Sequence, residues 1–354
     1  MSEHHWLRRR WKLVLNLVTL AALLILIFMI RDQLGKTFIN LAKVHAWALL
    51  LMIPIQLLNY HAQTKMYQDL FRLVGNRLNY KYLYKAALEL NFVNHVFPSG
   101  GVTGVSYFSL RLKDGKNLTA AKATLVQFMK LMLMFLSFEI LIIVGLFSLA
   151  IMGKANDLVI LVAGSLATLL LVGTIGFFYM LGSRKRIDSF FTGLTKALNK
   201  IIQLVRPKYP ETINVLKAKQ MVSDFHENYV QIKKNWRQLQ TPFWYALLAN
   251  VTEVAAIYVV FIAFGDWVNV GAVILAYAIA NFAGLISVLP GGVGIYEALM
   301  VTTLASTGVP ARISVPVIVM YRVLNTIIQV PPGYYLYHKN LQRSQPESGA
   351  VQNG

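Results

Sequence analysis

Pro290-Gly291-Gly292-Val293-Gly294-Ile295-Tyr296-Glu297 interrupts an apolar stretch that runs from Val268 to Leu304. A proline and three glycines break a helix, and lipid offers no water to the N–H and C=O groups so released. They need partners inside protein or in a wet cavity. A half-helix starting near Gly294 would aim its positive dipole end into the membrane, and its unpaired N–H groups would attract an anion. Glycine at the break lets a phosphate approach the backbone closely. Broken helices of this kind line the binding sites of transporters.

Charged side chains sit in the same apolar setting. Lys130 and Glu139 lie in 124–151, Glu253 in 242–264, Glu297 just past the break and Arg322 in 313–337. Each is costly in lipid without a partner. Lys130 and Arg322 are natural counter-charges for an anionic head group, and Glu253, Glu297 or Glu139 can pair with them when the site is empty. Plainer roles also fit. Glu297 falls in a first helical turn, where an acid caps N–H groups. Lys130 can snorkel to the inner interface, and Arg322 can serve an internal ion pair. Asn281 and Asn325 can act as hydrogen-bond glue between helices. His95 reads as a satisfied polar residue, not a metal ligand.

The 354 residues are 56% hydrophobic and 14% charged, against about a quarter charged in soluble domains. The chain reads as an all-α integral membrane protein. Cysteine is absent, which excludes disulfides, thiolate metal sites and cysteine nucleophiles. The formal net charge of +19 reads as topology and contact with anionic lipid, not as nucleic-acid binding.

Apolar stretches of crossing length are 13–30, 44–60, 124–151, 158–181, 242–264 and 313–337. These predict about six full spans. Leu13 to Ile30 is too long for a signal-peptide core and reads as an uncleaved first span. Regions 86–110 and 268–306 are each split by a Pro/Gly cluster and predict re-entrant hairpins. Positive charge places 1–12, the loop from Lys65 to Lys85, the loop from Arg111 to Lys122 and the segment 182–240 on the cytoplasmic side. In 184–237, twelve Lys/Arg face four Asp/Glu. The basic stretch His338 to Arg343 is expected inside as well, provided that 268–306 begins and ends outside.

The two breaks resemble each other. Asn91-Phe92 precedes Pro98-Ser99-Gly100-Gly101-Val102-Thr103-Gly104, and Asn281-Phe282 precedes Pro290-Gly291-Gly292-Val293-Gly294. Opposite parity makes this the pattern of an inverted repeat. The halves are 13–181 and 241–340. Between them, apolar residues from Ile187 to Val205 recur at helical spacing and predict an amphipathic helix on the inner leaflet. A second helix is expected over roughly 211–236, and the tail 341–354 reads as disordered.

The stretch Pro290–Glu297 resembles the Pro-Gly-Gly-hydrophobic-Gly-x-x-Glu motif of the lysylphosphatidylglycerol synthetase transmembrane-region family, the flippase-like domain proteins. Tyr321-Arg322-Val323-Leu324-Asn325 is similar to the family's arginine-bearing last span. Pro98 to Arg111 resembles its first Pro-Gly motif, although Ser99 and Val102-Thr103 depart from the usual spacing. Lys130 stands where many members have an arginine, which removes a bidentate phosphate contact. The resemblance implies a membrane unit that flips an aminoacylated or other anionic lipid, standing alone without the soluble synthase domain. Related readings are the membrane part of a lipid-linked transferase system and an ion-coupled solute transporter. If the chain carries an activity, the resemblance implies phosphatidylglycerol lysyltransferase, but no Walker pattern, metal cluster or nucleophile triad supports one.

The candidate substrate-binding set is therefore Pro98, Gly100, Gly101, Gly104, Arg111, Lys130, Glu253, Asn281, Pro290, Gly291, Gly292, Gly294, Glu297, Arg322 and Asn325. No catalytic residue, metal or cofactor is assigned. The expected partner is an anionic membrane lipid, with a separate lipid-modifying enzyme as a further candidate and no nucleic acid. The expected location is a prokaryotic inner or plasma membrane with a cytoplasmic N-terminus.

Overall fold

A computed structural model describes residues 44–97, 102–113, 118–153, 157–189, 226–286 and 293–343, with isolated positions between 21 and 35 and at 192–193. The expected first span 13–30, nearly all of 190–225 and both Pro/Gly clusters (98–101 and 287–292) lie outside the described residues.

Every element among the described residues is helical. A short turn of helix, Ala46–Leu49, leads into α1, Met52–Leu73. There follow α2, Tyr80–Val96; α3, Val102–Lys113; α4, Ala120–Ile151; and α5, Asp157–Leu181. The second half contains α6, Gln240–Ala263; α7, Val270–Ile286; α8, Ile295–Ser306; and α9, Ala311–Arg343. Four helical stretches among the described residues are long and apolar enough to cross a bilayer: Ala121–Ile151, Asp157–Leu181, Trp236–Ala263 and Ala311–Asn340.

The expected span 44–60 takes a different form. Its helix runs on to Leu73 and carries Gln56, Asn59, Gln63 and Tyr67 along one side. This spacing of three or four residues lays a polar stripe on a single helical face. The stripe turns inward, and Gln56, Asn59 and Tyr67 are buried. Leu50, Ile53, Leu57 and Leu58 stay exposed on the outer side. The helix is thus apolar on its exposed side and polar toward its neighbours.

α1 pairs antiparallel with α6. The His45 N–H donates to the Ala263 carbonyl at 2.8 Å, at the start of one helix and the end of the other. Deeper in the pair, Asn59 Nδ2 donates to the Ala249 carbonyl at 2.8 Å and to Thr252 Oγ1 at 2.9 Å. Trp47 and Trp267 are exposed at one end of this pair, and Trp236 and Trp244 near the other, as an interfacial aromatic belt requires.

Each broken region forms two packed helices. α2 and α7 have 17 residues each, and α3 and α8 have 12 each. A 12-residue helix rises only about 18 Å, short of the roughly 30 Å hydrocarbon core. Asn91 and Asn281 stand eleven residues after the first residue of α2 and α7. The helices that follow, α4 and α9, have 32 and 33 residues.

Packing exchanges the halves. The hairpin helix α2 lies on α9 of the second half, and α7 lies on α4 of the first. Glycine permits both close crossings. A Cβ on Gly271 would run into the Gly145 carbonyl, and one on Gly333 would come 2.6 Å from the Leu88 carbonyl. One apolar core gathers α4 to α9, and a second gathers the C-terminal half of α1 with α2, α3 and α4. α5 is the outlier, with Leu158, Leu161, Val172 and Ile175 exposed.

Candidate functional site

The second break is held at its helical end by two residues. Gly294 has φ +91°, a backbone state that costs a glycine nothing. It precedes α8, and its N–H donates to Glu297 Oε2 at 2.6 Å. The other oxygen of the same carboxylate accepts from Arg322 Nε at 3.1 Å. Glu297 therefore does both things the sequence allowed: it caps a half-helix and pairs with the arginine of α9. The pair is largely enclosed, with side-chain exposures of 15% for Arg322 and 12% for Glu297. The Arg322 guanidinium also lies 4.6 Å from the Tyr296 ring, in cation–π range.

One residue away, Tyr321 enters a closed circuit. Its hydroxyl donates to Glu253 Oε2 at 2.7 Å. Asn325 Nδ2 donates to the Tyr321 hydroxyl at 3.4 Å, and Gln329 Nε2 donates to Asn325 Oδ1 at 2.8 Å. Gln329 Nε2 also reaches Gln56 Oε1 at 3.2 Å, and Gln56 Nε2 returns to Glu253 Oε2 at 3.5 Å. Three helices, α1, α6 and α9, thus share one polar ring in the interior. Such a ring is stable only when nearly every member is satisfied.

The stripe on α1 extends the network. Asn59 Oδ1 accepts from Gln63 Nε2 at 2.6 Å. Lys130 Nζ donates to Gln63 Oε1 at 3.2 Å and to the Tyr67 hydroxyl at 3.0 Å. The ammonium is held inward against α1, 4.8 Å from the Tyr67 ring, so snorkelling is not its state. From Gln56 to Tyr67 the stripe rises about 16 Å and links the Glu253 ring to Lys130.

Described residues flanking the two breaks share one cluster. Val293, at the second break, packs in one apolar cluster with Phe92, Val93 and Val96, which lead into the first. His95 lies within electrostatic reach of Arg322. Its Nδ1 is bonded to the Asn91 carbonyl at 2.8 Å.

Other expected site residues are placed elsewhere. Arg111 braces the first hairpin: its Nε donates to Glu89 Oε2 at 2.8 Å and its Nη1 to the Tyr82 hydroxyl at 3.3 Å. Tyr107 donates to the same Glu89 oxygen at 2.6 Å. Gly104 lies in close contact with Asn94 on α2. Asn281 Nδ2 donates to the Tyr277 carbonyl of its own helix at 2.9 Å. Glu139 Oε1 is buried without a partner among the described residues. Pro98, Gly100, Gly101, Pro290, Gly291 and Gly292 lie outside the described residues.

Sequence reasoning missed Glu89, Gln56, Gln63, Tyr67 and Gln329. The α1 stripe carried a usable signal, since its polar positions recur at helical spacing. Glu89 carried one too, as a carboxylate inside a region read as apolar.

Comparison with known proteins points to a family of membrane proteins. The family profile described as "Lysylphosphatidylglycerol synthase TM region" matches residues 13–333. A UPF0104 membrane protein of Methanocaldococcus jannaschii is 20% identical over 325 residues, covering 90% of this chain and 92% of that protein. A UPF0104 membrane protein of Methanothermobacter thermautotrophicus is 32% identical over 97 residues, which is 27% of this chain and 29% of that relative. A third, from Pyrococcus horikoshii, is 25% identical over 119 residues, covering 34% of this chain and 36% of that protein.

Proposed function

The chain belongs to the lysylphosphatidylglycerol synthase transmembrane-region family, and from that premise we propose that it moves an anionic lipid between the leaflets of a prokaryotic cell membrane. The lipid is an anionic or aminoacylated phospholipid or a polyprenyl phosphate. Its head group passes between the two helix breaks while its acyl chains remain in lipid.

One observation carries this reading: Arg322 is paired with a carboxylate that also caps the half-helix α8. A guanidinium presents its donors as a planar fork that suits phosphate. When a phosphate takes that fork, Glu297 keeps its helix-capping bond to the Gly294 N–H, which offsets part of the loss of its arginine partner. The N-terminus of α8 adds a favourable field for the same anion. Lys130 supplies a second cation on the far side of the α1 stripe, and the stripe's amides and hydroxyls give a head group exchangeable partners between the two.

The equal lengths of α2 and α7 and of α3 and α8, and the exchange of packing partners between halves, support an inverted repeat with two re-entrant hairpins. Tyr337 of α9 lies against Tyr107 of α3. This favours a cytoplasmic C-terminal end, on the same side as the basic loops.

A second reading follows from Glu253. Its hydrogen-bond partners in the ring are neutral, Tyr321 and Gln56, which suits a carboxylate that takes up a proton during transport. The membrane part of a lipid-linked transferase system is a third reading, which rests on family membership.

Reconstitution into vesicles tests the main proposal. A fluorescent phosphatidylglycerol in the inner leaflet should become accessible to a membrane-impermeant quencher only when the protein is present. No protein-dependent exchange of phosphatidylglycerol, lysylphosphatidylglycerol or a polyprenyl phosphate would count decisively against it.

A further inference from the structure

A cleft of about 440 Å³ opens between α1 and α2, away from the polar ring, and is lined by Leu57, His61, Tyr80, Lys81, Tyr84 and Lys85. This volume falls in the roughly 300–1,000 Å³ range of small-ligand sites. Its two walls differ in chemistry along their length. Near the start of α2 stand Lys81 and Lys85, both exposed, with Lys65 of α1 lying 5.7 Å from the Tyr80 ring. About two turns back along α1 from Lys65, Leu57 and its neighbour Leu58 are exposed apolar side chains. No carboxylate is among the lining residues.

The aromatic groups interleave with the lysines, Tyr80 and Tyr84 alternating with Lys81 and Lys85 along α2, and they are fixed. His61 Nδ1 and the Tyr80 hydroxyl are bonded at 2.9 Å. Tyr80 stacks on Tyr84 at 5.9 Å, and the His61 ring meets Tyr245 of α6 at 6.4 Å. Lysines interleaved with aromatic rings, beside the exposed leucines Leu57 and Leu58, bring together in one cleft the chemistries a phospholipid needs: charge for the phosphate, rings for the glycerol region and apolar surface for an acyl chain. Tyrosines and lysines so placed belong at the head-group level of a bilayer.

We propose that the α1–α2 cleft binds one anionic phospholipid, with its phosphate between Lys81 and Lys85 and an acyl chain along Leu57. The occupant is a membrane lipid, not a free anion, because the floor is an exposed apolar surface, Leu57 and Leu58, that a free anion would not use. The site is separate from the Arg322 pair and stands whether or not the protein translocates lipid. Tyr84 also meets Tyr60, at 6.1 Å between ring centroids.

The test is lipid binding to the purified full-length chain in detergent, followed by native mass spectrometry. Dioleoyl-phosphatidylglycerol is titrated against dioleoyl-phosphatidylcholine and inorganic phosphate. The Lys81→Gln/Lys85→Gln double variant should lose about thirtyfold in phosphatidylglycerol affinity, as two lysines at a membrane surface imply. Lys81→Arg/Lys85→Arg should restore it, which separates lost binding from lost folding. Lys233→Gln/Lys234→Gln removes the same charge from an exposed helix and should change nothing. Arg322→Gln removes only the other lipid-binding cation and should leave the Lys81/Lys85-dependent part of the binding in place, so failure here and failure of the translocation reading are distinguishable. Unchanged binding in the Lys81/Lys85 double variant, an equal loss in the Lys233/Lys234 control, or full competition by inorganic phosphate would each overturn the proposal.

Discussion

Removing either member of the Arg322–Glu297 pair should be costly, and removing both should cost much less than the sum. The two side chains are 15% and 12% exposed and 3.1 Å apart. A buried pair broken from one side costs about 3–5 kcal/mol, because the surviving charge is stranded. The residual exposure places each single variant near the lower end, about 3 kcal/mol. Glutamine at 297 keeps an oxygen for the Gly294 N–H, so Glu297→Gln loses the charge and retains most of the cap. Arg322→Gln leaves the Glu297 carboxylate bonded to that N–H but otherwise uncompensated. The double variant leaves two neutral amides, and the coupling energy should be about 2–3 kcal/mol, within the span known for contacting residues. Reversible unfolding of the four proteins in mixed detergent micelles, followed by tryptophan fluorescence, measures the cycle. Added phosphatidylglycerol should shrink the coupling, since a phosphate competes for the same guanidinium. Costs that add to within about 0.5 kcal/mol would mean the residues do not act on each other, and the displaceable-pair mechanism would be lost.

Two further outcomes bear on the scaffold. Gly271→Ala and Gly333→Ala should each destabilise the protein by about 1–3 kcal/mol through overpacking, because the added carbon meets the Gly145 and Leu88 carbonyls respectively; a thermal melt in detergent that leaves either midpoint unchanged would refute the close crossings. Glu89→Ala should cost about 3–5 kcal/mol by stranding Arg111 inside the first hairpin, whereas Arg111→Met paired with Glu89→Leu should recover most of it. The same unfolding assay decides the matter.

Much of this architecture could be read from residue order. The long apolar runs in 124–151, 158–181, 242–264 and 313–337 predict crossing helices, and each coincides with a helix long and apolar enough to cross a bilayer. The Pro/Gly clusters marked where α2 and α7 end and α3 and α8 begin, because proline and consecutive glycines do not continue a helix. Arg322 and Glu297 announced themselves as charges in an apolar setting. What escaped notice was polarity that hides by facing inward. Gln56, Asn59 and Gln63 looked like the end of an apolar span at 60, because a linear window averages a helix over all its faces. Only a helical projection reveals them as a stripe, and only the antiparallel approach of α6 explains why they are tolerated. Arg111 shows the converse problem. A basic residue after a Pro/Gly motif suggested a phosphate ligand, yet its distance to Glu89, 22 residues earlier, is set by how α2 and α3 fold back on each other. Pairings of that range belong to tertiary structure and leave no local mark.

The central claim is that Arg322 grips the head group of a lipid in transit. The most direct measurement compares leaflet exchange of fluorescent phosphatidylglycerol in vesicles carrying the parent chain, Arg322→Gln or Arg322→Lys at matched protein density. The account predicts exchange by the parent, a loss of at least about tenfold in the glutamine variant and partial recovery with lysine, which keeps the charge but not the fork. Exchange by Arg322→Gln at the parental rate, with the protein folded and inserted, would contradict it.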